Sequence, residues 1–508
     1  MHRIPRAAGV VLAVLAGAAA CGEEDSPVTP TPPAVASLEI VTPASELFES
    51  DTMRLTVRAR DAEGNLLPED AVAPADLAWS TTDSTIAVIG TDGLVRGRAM
   101  GPVTVRVRLA GASGLAPAAS HAVAADTTTD SVGLDVQVRF VALDGGAYHT
   151  CGVTEARRGY CWGSNGEGRL GSISASDSAP RNRHVPVRGN RAYAFLDAGD
   201  SHTCAIDSAG AAYCWGLGDL GQLGGGVETG LAANVDPAPV AGGLTFARLA
   251  LGWRQTCGLT TSGTLHCWGL GTSGVLGTGD TAKAAVPVAV QNPGGATFGS
   301  LVSGEHHACA LTSDGLAYCW GDNSRGQLGV TTGQTCTDIF GVLASCATAP
   351  TLVSPTLRFR SLALGRHHTC GIATDGAAHC WGSGEDGRLG TGDTVSAASP
   401  TPVAGGLSFA SITAGIAHSC AIATDGTVYC WGSNVVGNLG DGTTIARMAP
   451  TPVSGGLRFG AVTGGASHTC ALATTGIAYC WGHNFQGQLG DGTNAGSLVP
   501  VAVLGQRN

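Results

Sequence analysis

Lysine is almost absent from this chain: Lys283 is the only one in 508 residues, and 28 Lys and Arg stand against 39 Asp and Glu. A nucleic-acid surface needs clustered cations to displace phosphate counterions, and scattered arginines under a net charge of −11 do not supply one. Beyond residue 20 no apolar run is long enough to cross a bilayer as a helix. Helical periodicity is also missing, which excludes an α-helical class. Neither a nucleophile elbow, a phosphate loop, an HExxH helix nor a CxxC knuckle occurs, so the common hydrolytic, nucleotide and zinc chemistries lack a local signature. We expect no enzyme, no cofactor and no resident metal.

Glycine and cysteine are abundant instead, at 77 and 17 residues. Seven times between Cys151 and Gly490 one phrase returns, clearest as HTCALATTGIAYCWGHNFQGQLG from His468 to Gly490. Its tryptophans are Trp162, Trp215, Trp268, Trp320, Trp381, Trp431 and Trp481, spaced 50 to 61 residues apart. A unit of that length cannot bury its own apolar face and must stack against copies of itself. Each Trp follows a Cys with a partner ten positions upstream: Cys151 and Cys161, Cys204 and Cys214, Cys257 and Cys267, Cys309 and Cys319, Cys370 and Cys380, Cys420 and Cys430, Cys470 and Cys480. Between them, short alternating apolar residues are broken by a turn such as Thr374-Asp375-Gly376. With Gly376 at positive φ, the two cysteines oppose each other across an antiparallel pair, near enough for a cross-strand disulfide. Zinc is the competing use of paired Cys and His, and the missing CxxC spacing argues against it.

Comparing copies yields two finer expectations. One position holds Asn165, Asn323, Asn434 and Asn484 in four copies but Gly218, Gly271 and Gly384 in the others, which reads as a backbone site needing positive φ. Each internal copy is preceded by a Pro-Val strand, and the last such strand, Val499 to Val503, has no copy after it. It is expected to pair with the first copy near Phe140 and so close a ring without open edges.

Residues 1–20 have the charged start, apolar middle and small-residue end of a secretory signal. The order from Leu15 to Cys21 resembles a bacterial lipoprotein signal, whose Cys is acylated; Ala18-x-Ala20 would also serve ordinary signal peptidase. Seven hairpin pairs and the further pair Cys336 and Cys346 use sixteen cysteines, leaving Cys21 as the odd one and the candidate for lipidation. Residues 21–34 are acidic and Pro-rich, a tether from the anchor. Residues 35–125 alternate like short strands, as in Val103-Thr-Val105-Arg-Val107, and suggest a β-sandwich. Within them Trp79-Ser80, Ile86-Ala87-Val88 and Gly93-Leu94-Val95-Arg96-Gly97 resemble the bacterial immunoglobulin-like domain of group 2, a spacer or adhesive module. Residues 126–139 read as a linker.

From residue 140 to 508, His-x-Cys, Cys-Trp-Gly and Gly-x-Leu-Gly, as in Gly326-Gln327-Leu328-Gly329, resemble the repeat of the regulator of chromosome condensation family. That resemblance implies a seven-bladed β-propeller, so the whole chain is read as all-β, a propeller preceded by an immunoglobulin-like sandwich. Copy three departs from it, with Gln255 where the others have His149, His202, His307, His368, His418 and His468. A group repeated around a ring reads as packing or hydrogen bonding between units, not catalysis. Asp280, Asp393, Asp441 and Asp491 sit in Gly-rich turns and read as turn chemistry.

Variation concentrates in the loops after Gly-x-Leu-Gly, longest from Ser172 to His184, Gly225 to Asp236 and Val330 to Ala349. In the last, Cys336 and Cys346 flank Ile339, Phe340, Val342 and Leu343, a stapled candidate binding loop whose pre-ordering would lower the entropy cost of association. The alternative is a loop folded back on its own unit. The expectation is a non-enzymatic, extracytoplasmic protein, anchored at the cell envelope through lipidated Cys21 or secreted, that presents propeller loops to a protein or glycan. Alternatives are an inhibitor or regulator of a secreted or envelope enzyme, by similarity to the propeller β-lactamase inhibitor, and a lyase-type propeller enzyme. Guanine-nucleotide exchange, the namesake's activity, does not suit an exported acidic chain.

Overall fold

The computed structural model describes residues 35–110, 128–172, 178–189, 191–227, 234–338 and 340–506. The leader, Cys21 and the tether lie outside them, and so does Ile339. In the N-terminal unit, Glu46–Phe48, Thr129–Gln137, Gly101–Leu109 and Leu77–Thr81 form one sheet, and Thr52–Arg54, Leu94–Gly97 and Ala87–Ile89 another. Along Gly101–Leu109 the residues Val103, Val105, Val107 and Leu109 are buried while Arg106 and Arg108 face water, the period of two that a half-buried strand requires. Leu47, Met53, Val95, Val105 and Val136 from the two sheets share one core, against which Trp79 packs.

Within the segment 126–139 expected to be a linker, Thr129–Gln137 is a strand instead. Thr129–Gln137 runs parallel to Glu46–Phe48 and antiparallel to Gly101–Leu109. Gly133 and Asp135 between Val132, Leu134 and Val136, with Asp130 and Ser131 before them, mask an alternation that places Leu134 and Val136 in the core.

Residues 140–502 form seven sheets, six of four strands and one of five, each built from strands consecutive in sequence. First strands contact one another in order, and that of the seventh sheet, Phe459–Gly464, contacts that of the first, Phe140–Gly145. Glycines mark the closure. A Cβ on Gly146 would lie 2.4 Å from the carbonyl oxygen of Gly199, and the relation repeats through Gly199, Gly252, Gly304, Gly365 and Gly415 to Gly465, where a Cβ would lie 2.6 Å from the oxygen of Gly146. Only glycine allows seven backbones to approach this closely.

The ring does not close through a shared sheet, contrary to the expectation. Ser497–Ala502 pairs with Ala478–Gly482 as the outer strand of the seventh sheet, and the first sheet has its own outer strand, Arg181–Pro186. Each Pro-Val segment therefore completes the copy before it instead of leading the copy after it. The ends nevertheless meet: the Val138 N–H donates to the Gly505 carbonyl at 3.3 Å. Val138, Phe140 and Trp162 pack with Cys480, Leu489 and Val503.

In every sheet the central hairpin places its two cysteines directly opposite, as Cys370 and Cys380 do, and joins them. Gly376 supplies the turn with φ +93°. Eight disulfides join the pairs ten residues apart, the eighth being Cys336–Cys346. Closing a loop of that length restricts the unfolded chain by roughly 3 kcal/mol per bond.

Candidate functional site: the central channel and the loop face

The repeated histidines belong to the walls between sheets. His149 Nε2 lies 2.9 Å from Thr203 Oγ1 of the next sheet, and Thr203 Oγ1 donates at 2.8 Å to the Arg169 carbonyl of the sheet before. The hydroxyl proton is thus committed, so the imidazole is the Nε2–H tautomer and donates to the hydroxyl. Trp215 Nε1 donates to the same carbonyl at 2.9 Å. The relay recurs from His202 to Thr256, His307 to Thr369, His368 to Ser419, His418 to Thr469 and, across the closure, His468 to Thr150. Burial holds these imidazoles neutral, at about 3 in His202, His307 and His468, about 4 in His418, and well below the ordinary value in His149 and His368. Rings so placed are walls, not acids or bases open to a substrate.

The first strands enclose a central cavity of about 810 Å³. Opposite the first cysteine of each hairpin, one side chain per sheet faces it: Asp144, Asp197, Ala250, Val302, Ala363, Thr413 and Thr463. The polar members serve the ring. Asp144 accepts the Ala198 N–H at 2.8 Å and the Thr463 hydroxyl at 2.9 Å, Thr463 accepts the Gly145 N–H, and Thr413 the Gly464 N–H. Burial, and after it the adjacent Asp144, push the Asp197 carboxyl well above the usual range.

At the mouth of the cavity the ring position is Ala147, Asp200, Trp253, Glu305, Arg366, Ile416 and Ala466. Arg366 Nε stands 3.0 Å from Glu305 Oε2, and His306 Nε2 is 3.7 Å from the same oxygen. Burial nevertheless pushes the Glu305 carboxyl up to about 7, with Arg366 opposing and Asp200 adding to the rise. Asp200 is raised too, chiefly by burial. Trp253 stands between these sheets against His306 and Arg254, ring centroids 5.4 Å apart in the first case and the guanidinium 4.8 Å away in the second. Motifs alone do not reveal this position because none contains it. Aligning the copies on the glycine that precedes it exposes a column that changes from sheet to sheet.

Strand alternation puts the first-to-second and third-to-fourth connections of every sheet on this same face. The stapled segment is a hairpin there, Gln334–Thr337 paired with Leu343–Leu352. Its cysteines are offset, Cys336 opposing Ala344, which sets their Cα atoms 5.8 Å apart against 4.0 to 4.1 Å in the other seven. Asp338 Oδ1 accepts the Phe340 and Val342 N–H groups, both at 2.8 Å, and fixes the tip. The base of this hairpin joins its own sheet as a fifth strand, while its tip stands clear: Phe340 is 77%, Val342 57% and Leu343 71% exposed. Among the described residues, the connections on this face carry eight exposed large apolar side chains, including Tyr148, Phe340, Val435 and Phe485, whereas those on the opposite face carry Leu504 alone.

The Asn-or-Gly position is corrected by its dihedrals: φ is −109° at Asn165, −104° at Gly271 and −94° at Gly384, so positive φ is not the requirement. In Asn434 the side chain ties the turn, accepting the Leu439 N–H and donating to the Thr443 and Ile445 carbonyls. Where glycine stands, the returning chain occupies that space: a Cβ on Gly271 would lie 2.0 Å from the Ala282 oxygen. Asp441 and Asp491 are likewise held within their turns, by Asn434 and Thr443 and by Asn484 and Thr493. Among the described residues no three His, Cys, Asp or Glu side chains converge as metal ligands.

Similarity to known proteins coincides with the repeats. A profile described as RCC1-like domain matches residues 108–461, and one described as regulator of chromosome condensation (RCC1) repeat matches 461–488. The ultraviolet-B receptor UVR8 of Arabidopsis thaliana is 30% identical over 258 residues, 51% of this chain and 56% of that protein. The guanine nucleotide exchange factor SRM1 of Saccharomyces cerevisiae is 29% identical over 256 residues, 48% and 52% of the two. The chain thus spans about half the length of these relatives. Among solved structures, human WBSCR16 matches with a TM-score of 0.60 at 19% identity over 68% of this chain and 89% of that one. Yeast RCC1 (Prp20), solved with Kap60, matches at 0.55 and 23% identity over 64% and 78%; both likenesses concern the fold. With one profile covering more than half of the chain, on the residues that carry the Cys-Trp-Gly and Gly-x-Leu-Gly phrases, the chain belongs to the RCC1-like repeat β-propeller family.

Proposed function

We propose that this chain is a non-enzymatic binding protein whose loop face engages another protein. The observation that carries the reading is the asymmetry of exposed apolar side chains, eight in the connections of one face and one in those of the other. Contiguous exposed apolar area marks interaction surfaces, and a rigid ring with a stapled hairpin holds that area in place before a partner arrives. In this reading the ring is a seven-bladed propeller and the N-terminal unit an immunoglobulin-like spacer. Acylated Cys21 anchors the chain outside the cytoplasm, a compartment that suits eight disulfides. That yeast RCC1 was solved bound to Kap60 supports a protein partner over a glycan.

Inhibition of a secreted or envelope enzyme is the second reading, favoured by the ordered, solvent-exposed tip at Phe340. The test uses the full mature chain as bait against secreted and envelope proteins. A partner retained by the wild type and by Leu504→Ser, but lost from Phe340→Ser and Phe485→Ser, supports the face. A partner retained by all four overturns it, and inhibition of the captured enzyme would select the second reading.

A further inference from the structure

The reading of the loop face as a binding surface leaves open what kind of protein it fits, and the charges answer. Among the described residues its connections carry eleven Asp and Glu against six Arg and Lys, while those of the opposite face carry four against six. The two faces of one ring thus have opposite sign. Resting on that reading, we propose that the partner is a basic polypeptide, one of whose cationic side chains enters the mouth of the central cavity between Asp200 and Glu305.

The mouth has the parts for this. Glu305 has one cation in contact, Arg366, whose side chain is 42% exposed and free to turn outward. Among the described residues the Asp200 carboxylate accepts a hydrogen bond from the Ser201 hydroxyl at 3.3 Å alone; Arg169 and Arg254 lie near enough to act on it by charge, but their guanidinium groups bond the Asp200 carbonyl and Glu167, and Asp219, respectively. Trp253 stands between the two carboxylates in ring order, and the Arg254 guanidinium against its ring is offset by Asp219. A polyamine would satisfy the charge but leave Phe340, Val435 and Phe485 uncovered; a polypeptide with apolar residues beside its cation covers both. Opposed charge also speeds encounter and suppresses wrong partners.

Glu305 makes the contact depend on pH. Its facing groups are Arg366; Asp200, raised by burial; and His306 and His367, both lowered by burial, the latter to about 4, and hence neutral near pH 7. A cation binds the ionised carboxylate, so affinity rises as pH climbs through about 7 and levels above it.

The test titrates the full mature chain with two labelled synthetic peptides of the same leucine pattern, one carrying lysines and the other glutamates, by fluorescence anisotropy. The lysine peptide is expected to bind, several-fold more tightly at pH 8 than at pH 6, and about tenfold more weakly to the Asp200→Asn, Glu305→Gln double variant. Arg366→Gln, which removes the competing cation, should tighten it, a gain that misfolding cannot imitate. Equal binding of both peptides, failure of the lysine peptide to bind, or a double variant that binds like the wild type overturns the basic partner. The binding face itself stands or falls separately, on the Phe340→Ser and Phe485→Ser captures.

Discussion

Gln255 and Ala308 are a matched pair: the one sheet that lacks the wall histidine faces the one sheet that lacks the hydroxyl to receive it. In the other six walls a His donates to a Thr or Ser that donates onward to a carbonyl. Here position 308 offers a methyl, and Gln255 Nε2 turns to the Gly304 and Glu305 carbonyls at 2.9 and 3.1 Å. The Val275 carbonyl, which would have taken the hydroxyl, accepts only Trp320 Nε1 at 2.9 Å. Two departures from the repeat that look independent in the sequence are one change in a hydrogen-bond circuit.

That coupling is measurable. Gln255→His alone buries an Nε2–H with no acceptor, which costs about 1–3 kcal/mol. Ala308→Thr alone crowds the amide of Gln255. The double variant reconstructs the relay of the other walls, and a double-mutant cycle by urea denaturation should return a favourable coupling of about 1–2 kcal/mol. Simple additivity of the two changes would show that the walls are not circuits.

The buried imidazoles dictate how stability responds to acid. Each wall histidine binds its proton far less readily in the fold than in the unfolded chain, where it titrates near 6.5. The unfolded state therefore takes up more protons as pH falls below about 6.5, and stability declines until the folded values near 3 to 4 are reached, by about 1.4 kcal/mol per pH unit per histidine. Glu305 and Asp197, raised in the fold, oppose this but number fewer. Urea midpoints should drop between pH 6.5 and 4.5, and His418→Gln, which copies the chemistry of Gln255, should reduce the slope by up to one proton. A flat profile across that window would contradict neutral wall histidines.

The two kinds of disulfide should behave differently. Cys420 and Cys430 are fully buried in a central hairpin whose neighbours pack around them, so replacing both with Ser loses the cross-link and leaves two hydroxyls in an apolar wall. The expected loss is about 3 kcal/mol or more. Cys336 and Cys346 are buried too, but they tie the outermost strand of the five-stranded sheet to its neighbour, and the same double change should lower the thermal midpoint less while loosening the tip at Phe340. Equal shifts for both pairs would mean that the projecting hairpin is part of the ring's cooperative unit.

Much of this fold is legible in the chain. The spacing of Cys and Trp delivers seven stacked hairpins because a disulfide and a buried indole each fix a register. The strand Thr129–Gln137 is hard to read because Thr129, Asp130, Ser131, Asp135 and Gln137 dominate its composition, though Leu134 and Val136 hold the core. Glu305 and Asp200 are invisible in sequence because their chemistry comes from placement at the cavity mouth; read singly, each is an ordinary acidic residue in a loop. The outer strand is easily given to the wrong neighbour because a repeat has no marked beginning. Pro402-Val403 can close one copy or open the next, and only pairing decides.

That pairing changes what the chain end should do. If Ser497–Ala502 merely completes the seventh sheet, closure rests on two residues beyond it: Val503, 1% exposed among Val138, Phe140 and Trp162, and Gly505, whose carbonyl receives the Val138 N–H. Val503→Ala removes two methyl groups from a site packed on every side, at a cost of about 1–2 kcal/mol. Ending the chain at Ala502 removes those contacts and the backbone bond, while every sheet keeps all its strands. The truncated protein should therefore unfold at lower temperature, with amide exchange rising first along Phe140–Gly145 and Phe459–Gly464, where the seventh sheet meets the first. A truncation that leaves both the midpoint and that exchange pattern as in the full chain would show that the contacts between the first and seventh sheets, such as His468 to Thr150 and Thr463 to Asp144, hold the ring closed without Val503 and Gly505.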